Sequence, residues 1–320
     1  MQQNNKIKWL IAHEPAHLFI RTAEAFAAEV REKTNGEIDI DIYTQSDFAE
    51  KFNNGQKDNP LAHMERGELE MSQLHISQLW KYNVPAFMAL ELPFLFNDHD
   101  HATRVVEGEI GQRMLTELVE KSPARGLAFT YSGGYRVMVS DNEINELGDF
   151  RNMKFYTGTN PIGMDTIAAI GGQPDPHAVD HWWYTIDQYG DQHDAVDTTI
   201  PRIVSSKIAD RVSKTNKRFI TDTKHSMFLT SIVVSEKWWK TLSEEVKDIF
   251  AKAAVSAARL ERQWSIDDAE QAKVECHTYG LSYKNLDQDC IDRFRAVTEP
   301  LYEKYDSLFM PGLVKGIRLG

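Results

Sequence analysis

The chain has 320 residues, 42% of them hydrophobic and 26% charged, with a formal net charge of −12. This is globular composition, long enough for two domains with cores of their own, and it excludes a disordered tail or a fibre. An acidic balance without a clustered stripe of Lys and Arg argues against a nucleic-acid surface, and no apolar run approaches the roughly 18 residues that would insert into a bilayer.

The first residues, MQQNNKIKW, lack the apolar centre of a signal peptide, so the sequence is expected to lack any export leader. KIKWLIAHE then reads as a strand, FIRTAEAFAAEVREKTNG as a helix closed by Gly36, and EIDIDIY as an alternating strand. That order seeds a sheet with helices on its faces. LAHMERGELEM continues as a helix, and Pro85 and Pro93 keep VPAFMALELPFLF from forming one long helix. HATRVVEGEIGQRMLTELVEK reads as a further helix, with the strands GLAFTYS and YRVMVS on either side of Gly133 and Gly134. The pattern then restarts with the strand MKFYTG and the helix PIGMDTIAAIGG, which has Pro161 in its first turn. Two α/β halves are therefore expected. Near the C-terminus, about 35 residues from Ser243 run without Pro or Gly as far as Gly280. A helix of that length spans about 50 Å, enough to brace both halves.

Several stretches carry residues with chemical potential. HEPAH, His13 to His17, matches the zinc-peptidase pattern in letters, but Pro15 drives Glu14 out of helical backbone and breaks the turn that must carry both histidines. His13 and Glu14 instead fall where a strand ends, the end of an α/β sheet at which ligands collect. HAVDH, with His177, Asp180 and His181, followed by His193, Asp194 and Asp197, could supply oxygen and imidazole ligands to a divalent ion. A solvated acidic loop explains the same residues and is the preferred reading. No Gly-x-Ser-x-Gly elbow, phosphate-cradling glycine loop or cysteine with an adjacent base is present, so no catalytic residue, resident metal or cofactor is assigned. Cys276 and Cys290 are the only cysteines, which leaves one bridge or two reduced thiols as alternatives. Trp182, Trp183 and Tyr184 are consecutive, and their rings cover roughly 200° of a helix, wider than one packed face requires.

GDFRNMKFYTGTNPIGMDTIAAIGGQPDP, Gly148 to Pro176, resembles the central signature of the solute-binding proteins of TRAP transporters, the DctP family. There an Asp-hydrophobe-Lys-Gly-hydrophobe-Lys-hydrophobe-Arg strand precedes a helix, a Gly-Ala-x-Pro turn and a second helix. AEAFAAEVREKTNGEIDIDIY, LELPFLF, GGYRVMVS, HDAVD and KHSMFLTSIVVSEKWWKTLSEEVKDIFAKAA follow the family pattern in order, so that the resemblance covers about residues 6 to 310. It implies an α/β, two-lobed periplasmic binding protein fold, each lobe a mixed sheet flanked by helices. Lobe 1 would hold residues 1–133 and about 227–262, lobe 2 residues 134–226 and about 263–320, with a ligand cleft between them that closes by hinge motion. It further implies an extracytoplasmic, periplasmic receptor that is not an enzyme and passes a small solute, usually an organic acid, to the membrane permease subunits of a TRAP transporter. No nucleic acid and no direct membrane insertion enter that function.

The departures from the family concern the ligand. The strand-ending arginine that usually clamps a carboxylate is here Tyr156, which leaves Arg136 in GGYRVMVS as the candidate for an anionic group. The frequent aromatic position is Val179, followed by His181, Trp182 and Trp183, and about five extra residues fall within QYGDQ. The family's Asp-Gly-x-Glu-Asn turn reads DTTIPR, Asp197 to Arg202, so its polar contacts are lost or replaced. By the resemblance the ligand-contacting set is His13, Glu14, Gln73, His75, Arg136, Tyr156, Val179, Trp182, Trp183 and Thr199. An indole in that set suits a sugar face, an aromatic ring or a cationic nitrogen. The expected solute is an organic acid, with a sugar acid or aromatic acid included. Alternatives are a neutral or zwitterionic solute, a sensor subunit on the same fold, or a metal-dependent hydrolase using HEPAH or HAVDH.

Overall fold

The computed structural model describes residues 5–12, 17–76, 79, 84–158, 160–175 and 191–320. It divides into two compact units: Met1–Val84, Ala102–Ser132 and Leu229–Ser265 form the first, and Pro85–His101, Gly133–Phe228 and Ile266–Gly320 the second.

The first unit begins with β1 (Asn5–Ile11), the helix His17–Lys33 and β2 (Ile38–Thr44). β1 and β2 pair in parallel along their whole length, as a helical crossover between them allows. The helix buries Phe19, Thr22, Ala23, Phe26 and Val30, one stripe at helical spacing, against Trp9 and Ile40 in a core that also holds Ile232 and Phe250. β3 (Met71–His75) is parallel to β1 and antiparallel to β9 (Met227–Ser235). The expected helix over LAHMERGELEM is shorter: it runs Pro60–Arg66, capped by Asn59, and Gly67 ends it in left-handed backbone, freeing Met71 to start β3.

The two strands read on either side of Gly133 and Gly134 are one strand, β4 (Ala124–Ser140). Both glycines keep positive φ, +89° and +74°, and a Cβ at Gly133 would stand 2.4 Å from Thr199 Oγ1. Glycine at that position therefore permits a close approach that any side chain would block.

In the second unit β4 is flanked by β7 (Ala195–Thr199) and β8 (Phe219–Asp222), both antiparallel. β5 (Lys154–Tyr156) lies parallel to β7, β6 (Gln173–Pro174) parallel to β5, and β10 (Ser282–Asn285) parallel to β8. This mixed sheet has one core around Val137, Val139, Tyr156 and Val196 and another around Met138, Phe150, Phe155 and Phe294. Alternation of side chains along β4 assigns Val137 and Val139 to one core and Met138 to the other.

The helix Glu244–Glu275 has residues in both units, contributing Phe250, Ala253, Ala254, Ala257 and Ala258 to the first core and Ala272 to the second. Gly280, in left-handed backbone, closes the 3₁₀ turn Cys276–Tyr279 that follows it.

Three further differences from the sequence reading have local causes. The helix expected over His101–Lys121 is two, His99–Glu107 and Glu109–Lys121, with Gly108 between them. The segment VPAFMALE is a 3₁₀ helix, Pro85–Glu91. Pro85–His101 groups with the second unit, although the lobe limits read from the sequence put it in the first: Tyr302 Oη donates to the Pro93 carbonyl at 2.8 Å, Phe94 meets Phe294 edge-on, and the His101 ring reaches the Ile317 carbonyl at 2.7 Å. Cys276 and Cys290 are both free and buried, in the two different cores of that unit.

Candidate functional site

The second unit holds a buried charged cluster on β4 and β7. Arg136 faces Thr199 across the ladder and Met138 faces Asp197. Because side chains repeat every second residue, Arg136 and Asp197 share one face of the sheet. Arg136 Nη1 donates to Asp197 Oδ2 at 3.3 Å, and Thr157 Oγ1 donates to the same oxygen at 2.8 Å. Asp197 Oδ1 lies 3.6 Å from His225 Nε2, while His225 Nδ1 is 2.6 Å from Thr223 Oγ1. Glu91 Oε2 is 3.9 Å from Arg136 Nη2, and the Phe228 ring lies beneath the guanidinium, its centroid 4.2 Å away.

Electrostatics divides the two acids. Burial raises the Glu91 carboxyl to about 7, Arg136 drawing it down and Asp197 pushing it up. Asp197 is equally penalised by burial, yet Arg136, His225 and Thr157 hold it below the ordinary carboxylate range. Asp197 is therefore the fixed anion and Glu91 the acid that titrates near neutrality. The guanidinium is held in place by Asp197 and Phe228, and its contact with Glu91 is long. Positioned guanidiniums of this kind suit a carboxylate, which can take two parallel N–H donors.

The first unit holds a buried polar cluster of another kind. Gln73 is fully buried, and its amide nitrogen lies 2.7 and 2.8 Å from the Glu261 carboxyl oxygens, 2.8 Å from Thr130 Oγ1 and 3.2 Å from Thr230 Oγ1. Burial raises Glu261 to about 8 despite hydrogen bonds from Thr22, Gln73 and Thr130. Two amide hydrogens cannot serve four acceptors, so the network closes when Glu261 carries its own proton. The Gln73 amide is thus engaged in an internal network. His75, two residues on, is buried and meets Phe19 edge to face at 6.3 Å.

The structure thus brings Arg136 and Thr199 together. Tyr156 packs in the core with Val137, Val139 and Val196 and meets the His193 ring at 5.7 Å. His13, Glu14, Val179, Trp182 and Trp183 lie outside the described residues, as do Tyr184, the HAVDH histidines and all of HEPAH except His17. The solvated-loop reading fails for Asp197, which is a buried member of β7, because it is the counterion of Arg136. His193 bonds Asp175 at 2.8 Å, and Asp194 accepts from the Lys154 backbone. Among the described residues no group of three or more His, Cys, Asp or Glu could hold a metal ion.

Sequence reasoning missed Glu91, Thr157, His225 and Glu261. A signal existed for Glu91, the lone charged residue of Val84–Phe96: a carboxylate in an apolar run must find a compensating partner. Thr157, His225 and Glu261 are joined to their partners only by the tertiary fold.

A mixed α/β architecture in two units that share one long helix, with a buried arginine held ready on one sheet, defines the class of periplasmic binding proteins. The sequence matches the family described as DctP, bacterial extracellular solute-binding protein, family 7, over residues 11–308, and the chain belongs to that family. The family so described is one of extracellular proteins that bind solutes. The chain is 24% identical over 289 residues to the sialic acid-binding periplasmic protein SiaP of Vibrio cholerae, a match that spans 89% of this chain and 84% of that protein. Among solved structures, a TRAP periplasmic solute-binding protein from Polaromonas bound to D-erythronate aligns with a TM-score of 0.83 at 24% identity, covering 98% of both chains. Another, from Pseudomonas putida with bound D-glucuronate, aligns with a TM-score of 0.83 at 22% identity, covering 98% of this chain and 96% of that one. Among the described residues, no helix is long and apolar enough to cross a membrane.

Proposed function

We propose that this chain is the receptor of a TRAP-type uptake system for a small hydroxylated carboxylic acid, a sugar acid foremost, whose carboxylate is bound by Arg136 and which is delivered to the membrane permease subunits of that system. The observation that carries this reading is the guanidinium of Arg136, buried on β4 and held between Asp197 and the Phe228 ring. A buried cation of fixed orientation gains most from a carboxylate, because the pair forms in low dielectric with a planar geometric match. The relatives add support, since the ligands named for them are sialic acid, D-erythronate and D-glucuronate, all of them acids. Thr199, opposite Arg136 on β7, and His75 on β3 are proposed as polar contacts for the solute's hydroxyl groups. Tyr156, part of the core, is proposed to shape the site without carrying charge, and Gln73 to support it from within the network around Glu261. His13, Glu14, Val179, Trp182 and Trp183 remain in the proposed contact set on the strength of the resemblance. The two units are proposed as the receptor's lobes, with the limits given above.

The test is a thermal-shift and calorimetric screen of N-acetylneuraminate, D-erythronate, D-glucuronate and D-galacturonate, each beside a neutral counterpart. A ligand that binds only the folded state raises the melting temperature. The acids are expected to raise it and the neutral counterparts to leave it unchanged, with Arg136→Lys losing most of the response. A neutral or zwitterionic solute that shifts the protein more than every acid would overturn the reading.

A further inference from the structure

The family's Asp-Gly-x-Glu-Asn turn reads DTTIPR here, and the last of those residues introduces a cation. β7 ends at Thr199, and the short helix Ile200–Ile203, started by Pro201, carries Arg202. The Arg202 guanidinium carbon lies 5.8 Å from the centroid of the Phe228 ring, the ring that Arg136 approaches to 4.2 Å. The two guanidiniums therefore stand at most about 10 Å apart, the sum of those distances, on one buried phenyl ring. Phe228 can serve both because each cation is attracted to the ring's negative face. Arg136 already has Asp197 as its counterion, so an acidic solute would add a second anionic partner to this pair of cations.

By the resemblance, a cation usual in the family is absent from this chain. Residue 156, the arginine that ends the central strand in the resemblance, is a tyrosine built into the hydrophobic core. A phenol neither carries charge nor offers the two-pronged donor set of a guanidinium.

We propose that Arg202 is a specificity-determining residue: it supplies the second guanidinium for an acidic solute, moved from the end of β5 to the helix after β7, so that acids are selected over neutral molecules of the same shape. This rests on the reading that the solute is an acid bound by Arg136. The ligand class it adds is an acid whose carboxylate, or carboxylate and adjacent hydroxyl, reaches both guanidiniums.

The probes are D-glucuronate, D-erythronate and N-acetylneuraminate, with D-glucuronamide as a neutral control, titrated calorimetrically into the wild type, Arg202→Gln, Arg202→Lys and Arg136→Lys at low and high potassium chloride. Arg202→Gln is expected to weaken the best-binding acid by about 10- to 100-fold, the usual range for a lost charged hydrogen bond, and to flatten the salt dependence. Arg202→Lys, which keeps the charge but not the fork, should fall between the two. If Arg202→Gln binds that acid within about threefold of wild type while Arg136→Lys has lost it, Arg202 only packs on Phe228: this inference fails and the proposed function stands. If no acid binds the wild type, both fail. Should Arg202→Gln not fold, Arg202→Lys decides, since unchanged affinity and salt dependence in that variant overturn the assignment and a loss with preserved melting temperature upholds it.

Discussion

The two buried polar clusters differ in one respect that sets what each can do. In the first unit, Gln73, Thr130, Thr230 and Glu261 form a network whose only ionisable member, Glu261, is held protonated by burial, so its hydrogen bonds are neutral, and the Gln73 side-chain oxygen has no hydrogen-bond partner among the described residues. In the second unit, Arg136 and Asp197 keep their charges, and Glu91 stands beside them with an acid strength near neutrality. A neutral network leaves no charge of its own for a bound ion to meet. A permanent buried cation leaves an electrostatic demand that a bound anion can meet. The sequence pattern nominates Gln73 and Arg136 equally as ligand contacts, and the structure gives them different surroundings.

Variants can break or sharpen that contrast. The largest effect is expected for Arg136→Ala, which leaves Asp197 buried without its main counterion. Removing one partner of a buried pair costs about 3–5 kcal/mol, readable as a lower midpoint in urea unfolding. The double variant Arg136→Met with Asp197→Asn should recover part of that stability without recovering acid binding, which separates folding from recognition. Recovery of acid binding in the double variant would mean that the guanidinium is not the anion's partner.

Next in size is the pH dependence. Glu91 and Glu261 each bind a proton more tightly in the folded chain, at about 7 and about 8, than at the unfolded value of 4.5. The stability they contribute is therefore full below pH 4.5 and is lost as pH rises through 7 and 8. Glu261→Gln keeps the neutral form at every pH and should flatten the fall in melting temperature between pH 5 and pH 8, leaving the part due to other groups, Glu91 among them. An unchanged slope would show that Glu261 is ionised in the native protein. Asp197 has the opposite sign: its folded value is lowered, so its contribution is present above 3.8 and is lost as pH falls below it.

A smaller effect is expected at Gly133→Ala, where φ is +89° and the added Cβ would stand 2.4 Å from Thr199 Oγ1. Strained left-handed backbone costs on the order of 1–3 kcal/mol, and displacement of Thr199 should weaken acid binding as well. The smallest belongs to Lys252→Ala, which removes the exposed ion pair with Asp248. A change within about 0.5 kcal/mol is expected there, and a larger one would show that surface charges contribute more than the buried clusters imply.

Much of the fold could be read in advance where one physical signal dominated. The stripe Phe19, Ala23, Phe26 and Val30 marked the first helix, Pro161 the start of another, and the run to Gly280 the long one. Short elements were harder. β3 lies in GELEMSQLH, where the helical spacing before Gly67 extends a few residues too far by eye, and only pairing with β1 and β9 makes it a strand. Arg136 was singled out through the family resemblance, and the structure buries its guanidinium on β4. The site was not legible at Asp197, which looks like one acid among several around HDAVD until the ladder sets it two residues from Thr199 and beside Arg136. Burial reverses the meaning of such a residue, and local sequence does not report burial.

The most direct measurement is a crystal structure of the protein with the acid that gives the largest calorimetric response. It should show a carboxylate oxygen within hydrogen-bonding distance of the Arg136 guanidinium, with Asp197 still in place behind it. A solute bound with its carboxylate away from Arg136, and that guanidinium contacting only Asp197 and Phe228, would contradict the account.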